Sequence, residues 1–160
     1  MRIPRLIIAV LSGHLLLATG YVFGQTIELN GFTGYQLGGT ARLYEGDFKI
    51  DDAQNYGGKL AVGIASDLFV EISYIRADTK GRFFPFSGEV SEYARFSSNY
   101  IHLGGLREFD FDRVAPFTTV GLGLVVWAPK TSVLNTKTQF SITAGAGLKI
   151  WITDALGIRL

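Results

Sequence analysis

The residues of this chain able to do acid–base or metal chemistry are few and widely spaced. There are two histidines and no cysteine among 160 residues. His14 lies in an apolar run near the start, and His102 stands in the middle of Y-I-H-L-G-G with Leu103 and Gly104 after it. No serine sits at the next-but-one position, so a His-x-Ser pair is absent, and His102 reads as an interior or interface hydrogen-bonding residue. Without cysteine there is no disulfide framework, no thiolate metal site and no lipoprotein attachment thiol. Asp47, Asp51 and Asp52 carry the hard oxygens a divalent cation prefers, but a solvated acidic loop is the commoner fate of such a cluster. The repeats Gly121-x-Gly123 and Gly145-x-Gly147 lack the following helix that a phosphate-binding loop needs. They fit small inward positions in a crowded β-structure. The expectation is a chain with no catalytic residue, no metal and no cofactor.

The remaining candidates are charges set singly into apolar-alternating strands, namely Glu28, Lys59, Glu71, Lys149 and Arg159. The stretch F-S-I-T-A-G-A-G-L-K-I-W-I from Phe140 shows the pattern most fully. Its even positions are all apolar, and its odd positions are mostly Ser, Thr, Gly and Lys149. Successive strand side chains point to opposite faces, so one face is continuously apolar and the other small or polar. Thirteen residues span about 43 Å, and a tilt near 40° leaves over 30 Å, more than the roughly 25 Å apolar band of an outer-membrane barrel.

The start of the chain fixes the expected compartment. Arg2 and Arg5 precede an apolar run over 6–18, and Val22-Phe23-Gly24 offers small-residue cleavage chemistry, the three regions of an export signal. The apolar run is shorter than the ~20 residues of a spanning helix. The domain reading is therefore a signal peptide over 1–24 and a β-barrel domain over 25–160. Removing Arg2 and Arg5 lowers Lys+Arg from 15 to 13 against 14 Asp+Glu, a net charge near −1. The basic pI thus belongs to the leader, and nothing points to nucleic acid.

Alternation bounded by turn residues gives seven candidate strands, over 26–38, 56–66, 67–78, 92–109, 113–127, 138–152 and from 155 onward. Tight turns at 66–67, 110–112 and 153–154 alternate with long polar connections over 39–55, 79–91 and 128–137. This is the rhythm of a transmembrane antiparallel up-and-down barrel with short periplasmic turns and long outer loops. Such barrels have even strand counts, so the expectation is all-β, eight strands in the full protein, with about seven here and the barrel C-terminally incomplete.

Facing follows from parity. Ile27, Leu29, Tyr35 and Leu37 point outward with Glu28, Asn30 and Gln36 inside. Leu60, Val62 and Ile64 oppose Lys59 and Ala61, while Leu68, Val70, Ile72 and Tyr74 oppose Glu71 and Ser73. Val120, Leu122, Leu124 and Val126 face out, with Gly121 and Gly123 in. On 92–109, outward Ile101 and Leu103 put Arg107 outward as well, which a bulge at Gly104-Gly105 would avoid. An eight-stranded interior is filled by side chains, so the inward charges read as a plug of paired ions. Aromatics near strand ends suggest interfacial girdles: Tyr35, Tyr56, Tyr74, Phe96, Trp127 and Phe140 above, and Phe69, Phe109, Phe111 and Trp151 below.

Five stretches then resemble, in order, the small outer-membrane β-barrels of Gram-negative bacteria, the porin-like group with OmpA-type and OmpX-type members. They are E-L-N-G-F-T-G-Y-Q-L-G-G from Glu28, Y-G-G-K-L-A-V-G-I-A-S-D-L-F-V-E-I-S-Y-I-R-A-D-T from Tyr56, Y-I-H-L-G-G-L-R-E-F from Tyr100, V-A-P-F-T-T-V-G-L-G-L from Val114, and G-A-G-L-K-I-W-I-T-D-A-L-G-I-R-L from Gly145. The resemblance implies an outer-membrane location, with roles from envelope integrity to adhesion and small-solute passage; together with the missing chemistry, the expectation is a monomeric, non-enzymatic protein with a structural and surface-interaction role. Its implied partners are outer-membrane lipids and lipopolysaccharide, together with the periplasmic chaperone and barrel-assembly machinery that deliver such chains. Surface contacts fall to the loop over 79–91, where Lys80, Arg82, Phe83, Phe84 and Phe86 mix cations with aromatics suited to phosphates and acyl chains. A narrow porin-like channel is the alternative, distinguished by conductance. A secreted lipocalin-like barrel is the third reading, which would reverse the polarity of the two faces.

Overall fold

Alternation wins over helical periodicity throughout the described residues, and the computed structural model is a single antiparallel sheet. It describes residues 9–22, 25–42, 44, 46–86, 91–130 and 135–160, with 9–22, 25, 41 and 91–94 described by backbone alone. The strands are β1 (Ala9–Val22), β2 (Gln25–Leu37), β3 (Gly39–Arg42), β4 (Gly46–Ile50), β5 (Ala53–Gly63), β6 (Leu68–Pro85), β7 (Ser91–Glu108), β8 (Val114–Pro129), β9 (Lys137–Trp151) and β10 (Leu156–Arg159). No cis peptide bond occurs among the described residues.

The sheet order is β3-β4-β6-β5-β2-β1-β10-β9-β8-β7, and β6 pairs again with β7. The wall nevertheless stays open. β1 meets β10 over two residue pairs, Leu17–Gly157 and Ala18–Leu156. Leu148 and Leu160 exchange backbone hydrogen bonds of 3.0 and 2.8 Å, so even-numbered β9 residues direct their amides toward the β10 side. Over 138–146 that edge has no strand partner among the described residues.

Tight turns join the strands at one end. Ile64 N donates to the Leu68 carbonyl at 2.9 Å, and the Thr153 hydroxyl accepts from Leu156 N at 3.0 Å. At the β7–β8 turn Asp112 takes φ of 63°, a left-handed value that Asp tolerates better than branched residues. The opposite end differs from expectation. The segment 39–55 is a β3–β4 hairpin laid against β6, with Gly46↔Pro85 to Ile50↔Gly81 in register. β6 continues to Pro85, so most of the expected loop over 79–91 is strand. Only the short alternation Phe48–Lys49–Ile50 marks the ribbon, and Ile50 is buried in it.

The region expected to be an export signal divides. Its basic start and its cleavage residues, 1–8 and 23–24, lie outside the described residues. Ala9–Val22 pairs with β2 along its length.

Facing follows the parity expected on β2, β5, β6 and β8. Leu29, Leu60, Ile72, Leu122 and Leu124 are exposed, while Glu28, Asn30, Gln36, Ala61, Glu71 and Ser73 are buried. β7 pairs without interruption through Gly104↔Glu71 and Gly105↔Val70, so the expected bulge is absent. Arg107 lies on the outer face, where its Nε donates to Asp67 at 3.0 Å. Parity also removes three residues from the aromatic girdles, one of them Trp127, which packs against the inner cluster of Phe32, Ile75, Tyr100 and Val125. Phe69 and Phe96 point inward and are buried, whereas Tyr35, Tyr56, Tyr74, Phe109, Phe111 and Phe140 are exposed.

Candidate functional site

The interior is organised as a charged layer, a hydroxyl–imidazole layer above it, and an aromatic layer above that. In the lowest layer Ala61, Phe69, Leu106 and Phe117 form an apolar base. Lys149 from β9 is fully buried over the Phe69 ring, its Nζ 4.8 Å from the centroid and 2.5 Å from Glu28 Oε2 on β2. Glu108 from β7 closes on the same ammonium. Arg159 from β10 lies 4.3 Å from the Phe117 centroid and forks onto the two Glu71 oxygens, with Nη2–Oε1 at 3.4 Å. Lys59 from β5 reaches Glu71 Oε1 at 3.6 Å and sits over Phe32 at 5.5 Å. Three carboxylates therefore meet three cations, and the network is neutral. Balance is what makes such burial tolerable, since an unpaired ion carries the desolvation cost alone.

Sequence parity named five of these six residues, Glu28, Lys59, Glu71, Lys149 and Arg159, and the fold brings all five together. Glu108 was missed. It shares parity with Tyr100 and His102, so accepting Arg107 as outward would have found it.

In the next layer His102 on β7, Gly123 on β8 and Ser141 on β9 are in register across three strands. His102 Nε2 and Ser141 Oγ are 3.0 Å apart, spanning two strand spacings. Gly123 makes that reach possible, because a Cβ there would lie 2.8 Å from His102 Cδ2. Tyr100 stacks on the imidazole at 5.9 Å and 24°. His102 Nδ1 has no hydrogen-bond partner among the described residues, so the pair lacks the carboxylate that orients the imidazole of a catalytic triad. Above it Phe32, Ile75, Tyr100 and Val125 pack with Trp127, and Phe96 meets Trp127 edge-to-face at 5.3 Å. Gly81 admits Phe48 and Phe96 to that cap, since a Cβ would come within 2.7 and 2.9 Å of their rings.

The acidic residues weighed as cation ligands are engaged singly elsewhere. Asp51 accepts from Arg82 Nε at 3.1 Å, Asp52 from Gly38 N at 2.8 Å, and Asp47 from Arg42 Nε at 3.4 Å. No group of three His, Cys, Asp or Glu is placed for a metal among the described residues.

The surface contacts expected over 79–91 separate. Arg82 is held by Asp51 and lies 6.0 Å from the Phe84 centroid. Phe86 is exposed with Arg42 at 6.0 Å, Phe83 is half-buried opposite Phe48, and Lys80 is exposed on the outer face of β6. Compared with protein-family models, with curated proteins and with solved structures, the chain finds no match in any of the three.

Proposed function

We propose that this chain is an integral outer-membrane protein whose sheet is wrapped by lipid, with a structural and surface-interaction role and no catalysis of its own. The observation that carries the reading is polarity turned inside out. Leu103 is 61 % exposed and Ile142 67 %, while Lys149 is 0 % and Arg159 1 % exposed. Water punishes that arrangement and hydrocarbon rewards it. The aliphatic face spans β2, β5, β6, β7, β8 and β9, far more than the few hundred Å² of apolar patch a soluble monomer leaves uncovered. A lipocalin-like barrel would present the opposite faces.

On this reading the tight turns lie in the periplasm, and the β3–β4 hairpin with the far ends of β6 and β7 stands outside the cell. The neutral ion network fills the bore and argues against a conducting path. The parity-matched stretches that resemble OmpA-type and OmpX-type barrels point the same way. The test is fractionation of cells expressing the chain. Recovery in the outer membrane, with gel migration that changes on boiling, supports the proposal; recovery as a soluble periplasmic protein overturns it.

A further inference from the structure

The outer face of β6, β7 and β8 is graded in rows that pairing fixes. From the tight-turn end upward the rows are Leu68–Arg107–Thr118, Val70–Gly105–Val120, Ile72–Leu103–Leu122 and Tyr74–Ile101–Leu124. Above them come Arg76–Asn99–Val126 and Asp78–Ser97–Ala128. The next row is Lys80 opposite Arg95, and Arg95 O accepts from Lys130 N at 2.7 Å. Lys80, Arg95 and Lys130 are all exposed. Twelve residues separate Lys80 from Leu68 along β6, about 30 Å of height at a 40° tilt. The cationic row therefore sits one membrane thickness above Arg107.

Like charges placed directly opposite one another across strands are destabilising. Here three cations occupy adjacent strands about 4.8 Å apart. Two described carboxylates lie at the row: Asp51, whose N donates to the Lys80 carbonyl at 2.9 Å, is taken up by Arg82, and Asp78 accepts from Ser97 Oγ at 2.6 Å and pairs with Lys130 at 3.2 Å and Arg76 at 3.6 Å. With Arg76 and Arg82 the patch holds five cations and two carboxylates, a net +3. Directly below, Tyr74 donates to Asn99 at 2.9 Å, and Tyr56, Tyr74 and the outward glycines Gly31 and Gly58 line an apolar groove of about 540 Å³.

We infer that Lys80, Arg95 and Lys130, with Arg76 beneath them, form a site for the headgroup of a multiply phosphorylated membrane lipid whose acyl chains lie against the apolar rows below. This rests on the membrane reading and sharpens its partner. Phosphate supplies the negative charge the row lacks, through charge-assisted hydrogen bonds to Lys and Arg. Arg82, expected to share the task, is already held by Asp51.

Native mass spectrometry of the full chain folded in zwitterionic detergent, titrated with tetraoleoyl cardiolipin as a bisphosphorylated probe, tests the site. Cardiolipin is expected to be retained and dioleoyl phosphatidylcholine lost. Lys80→Gln/Arg95→Gln/Lys130→Gln should weaken retention about a hundredfold. Should the triple variant not fold, Lys80→Gln alone is expected to show a weaker loss, and retention by the unmodified chain to fall with added salt. Equal retention of both lipids, unchanged retention by the folded variant, salt-independent retention, equally tight capture of inorganic phosphate, or capture of polyglutamate peptide instead of lipid would each overturn it. Failure here in a protein that fractionates with the outer membrane refutes this site alone; recovery as a soluble protein refutes the membrane reading.

Discussion

Replacing Glu71 by Gln keeps the side chain's size and removes one charge from the buried network. Glu71 is 6 % exposed, pairs with the Lys59 ammonium at 3.6 Å and accepts from the Arg159 fork. The substitution leaves three cations facing two carboxylates in the same packed space. Breaking a buried ion pair by removing one partner costs about 3–5 kcal/mol, against a total stability of about 5–15 kcal/mol for an ordinary domain. Urea unfolding of the chain in lipid vesicles, followed through Trp127 and Trp151, should show a loss in that range. Glu71→Gln/Lys59→Met restores a two-against-two balance and is expected to recover at least half of it, a coupling that a double-mutant cycle isolates. A single-variant loss below about 1 kcal/mol, the level of an exposed pair, would refute the argument that balance governs this interior.

Gly123→Val should destabilise by about 3 kcal/mol, the upper end of overpacking, and disrupt the His102–Ser141 contact, because its Cβ runs into the Ile101 carbonyl and lands 2.8 Å from His102 Cδ2; the thermal midpoint of gel migration reads this, and Gly105→Val, where a Cβ meets nothing within 4 Å, is the control. At the upper rim, the hydrogen bond from Ser97 and then the Lys130 ammonium hold the Asp78 carboxyl below its usual range. Its contribution to stability is thus present above about pH 4, the ordinary Asp value, and lost as pH falls below that through the folded-state value. The gap in thermal midpoint between the unmodified chain and Asp78→Asn should be constant from pH 7 to about 5 and close in more acid solution. Leu122→Arg puts a cation in the middle of the apolar rows and should cost about 2–4 kcal/mol of folding stability in vesicles, whereas at an ordinary aqueous surface such a change stays within about 0.5.

Parity carried most of what the sequence could reveal. Alternation in 26–38, 56–66 and 113–127 placed Glu28, Lys59 and Gly123 on the inner face before any pairing was known, since strand side chains have a strict period of two. It failed where a local exception seemed preferable to an exposed charge. Arg107 on the outer face suggested a bulge, yet Asp67 sits within 3.0 Å at the strand end and satisfies it without one. The cost of avoiding Arg107 was overlooking Glu108. The β3–β4 hairpin was hidden for another reason. Its pairing with β6 is long-range backbone hydrogen bonding, and the brief alternation Phe48–Lys49–Ile50 is too short to specify a partner. The His102–Ser141 contact joins strands 39 residues apart and depends on the absence of a side chain at Gly123, a juxtaposition no single strand displays. Ala9–Val22 carries two readings, because an apolar run suited to an export signal also suits a strand facing lipid.

The central claim is that the exposed aliphatic face meets hydrocarbon, and the absence of cysteine makes one measurement decisive. Leu122→Cys, carrying an environment-sensitive fluorophore in reconstituted vesicles, should be quenched by lipids brominated on their acyl chains and untouched by aqueous iodide. Quenching by iodide with no effect of the brominated lipids would place that face in water and contradict the account.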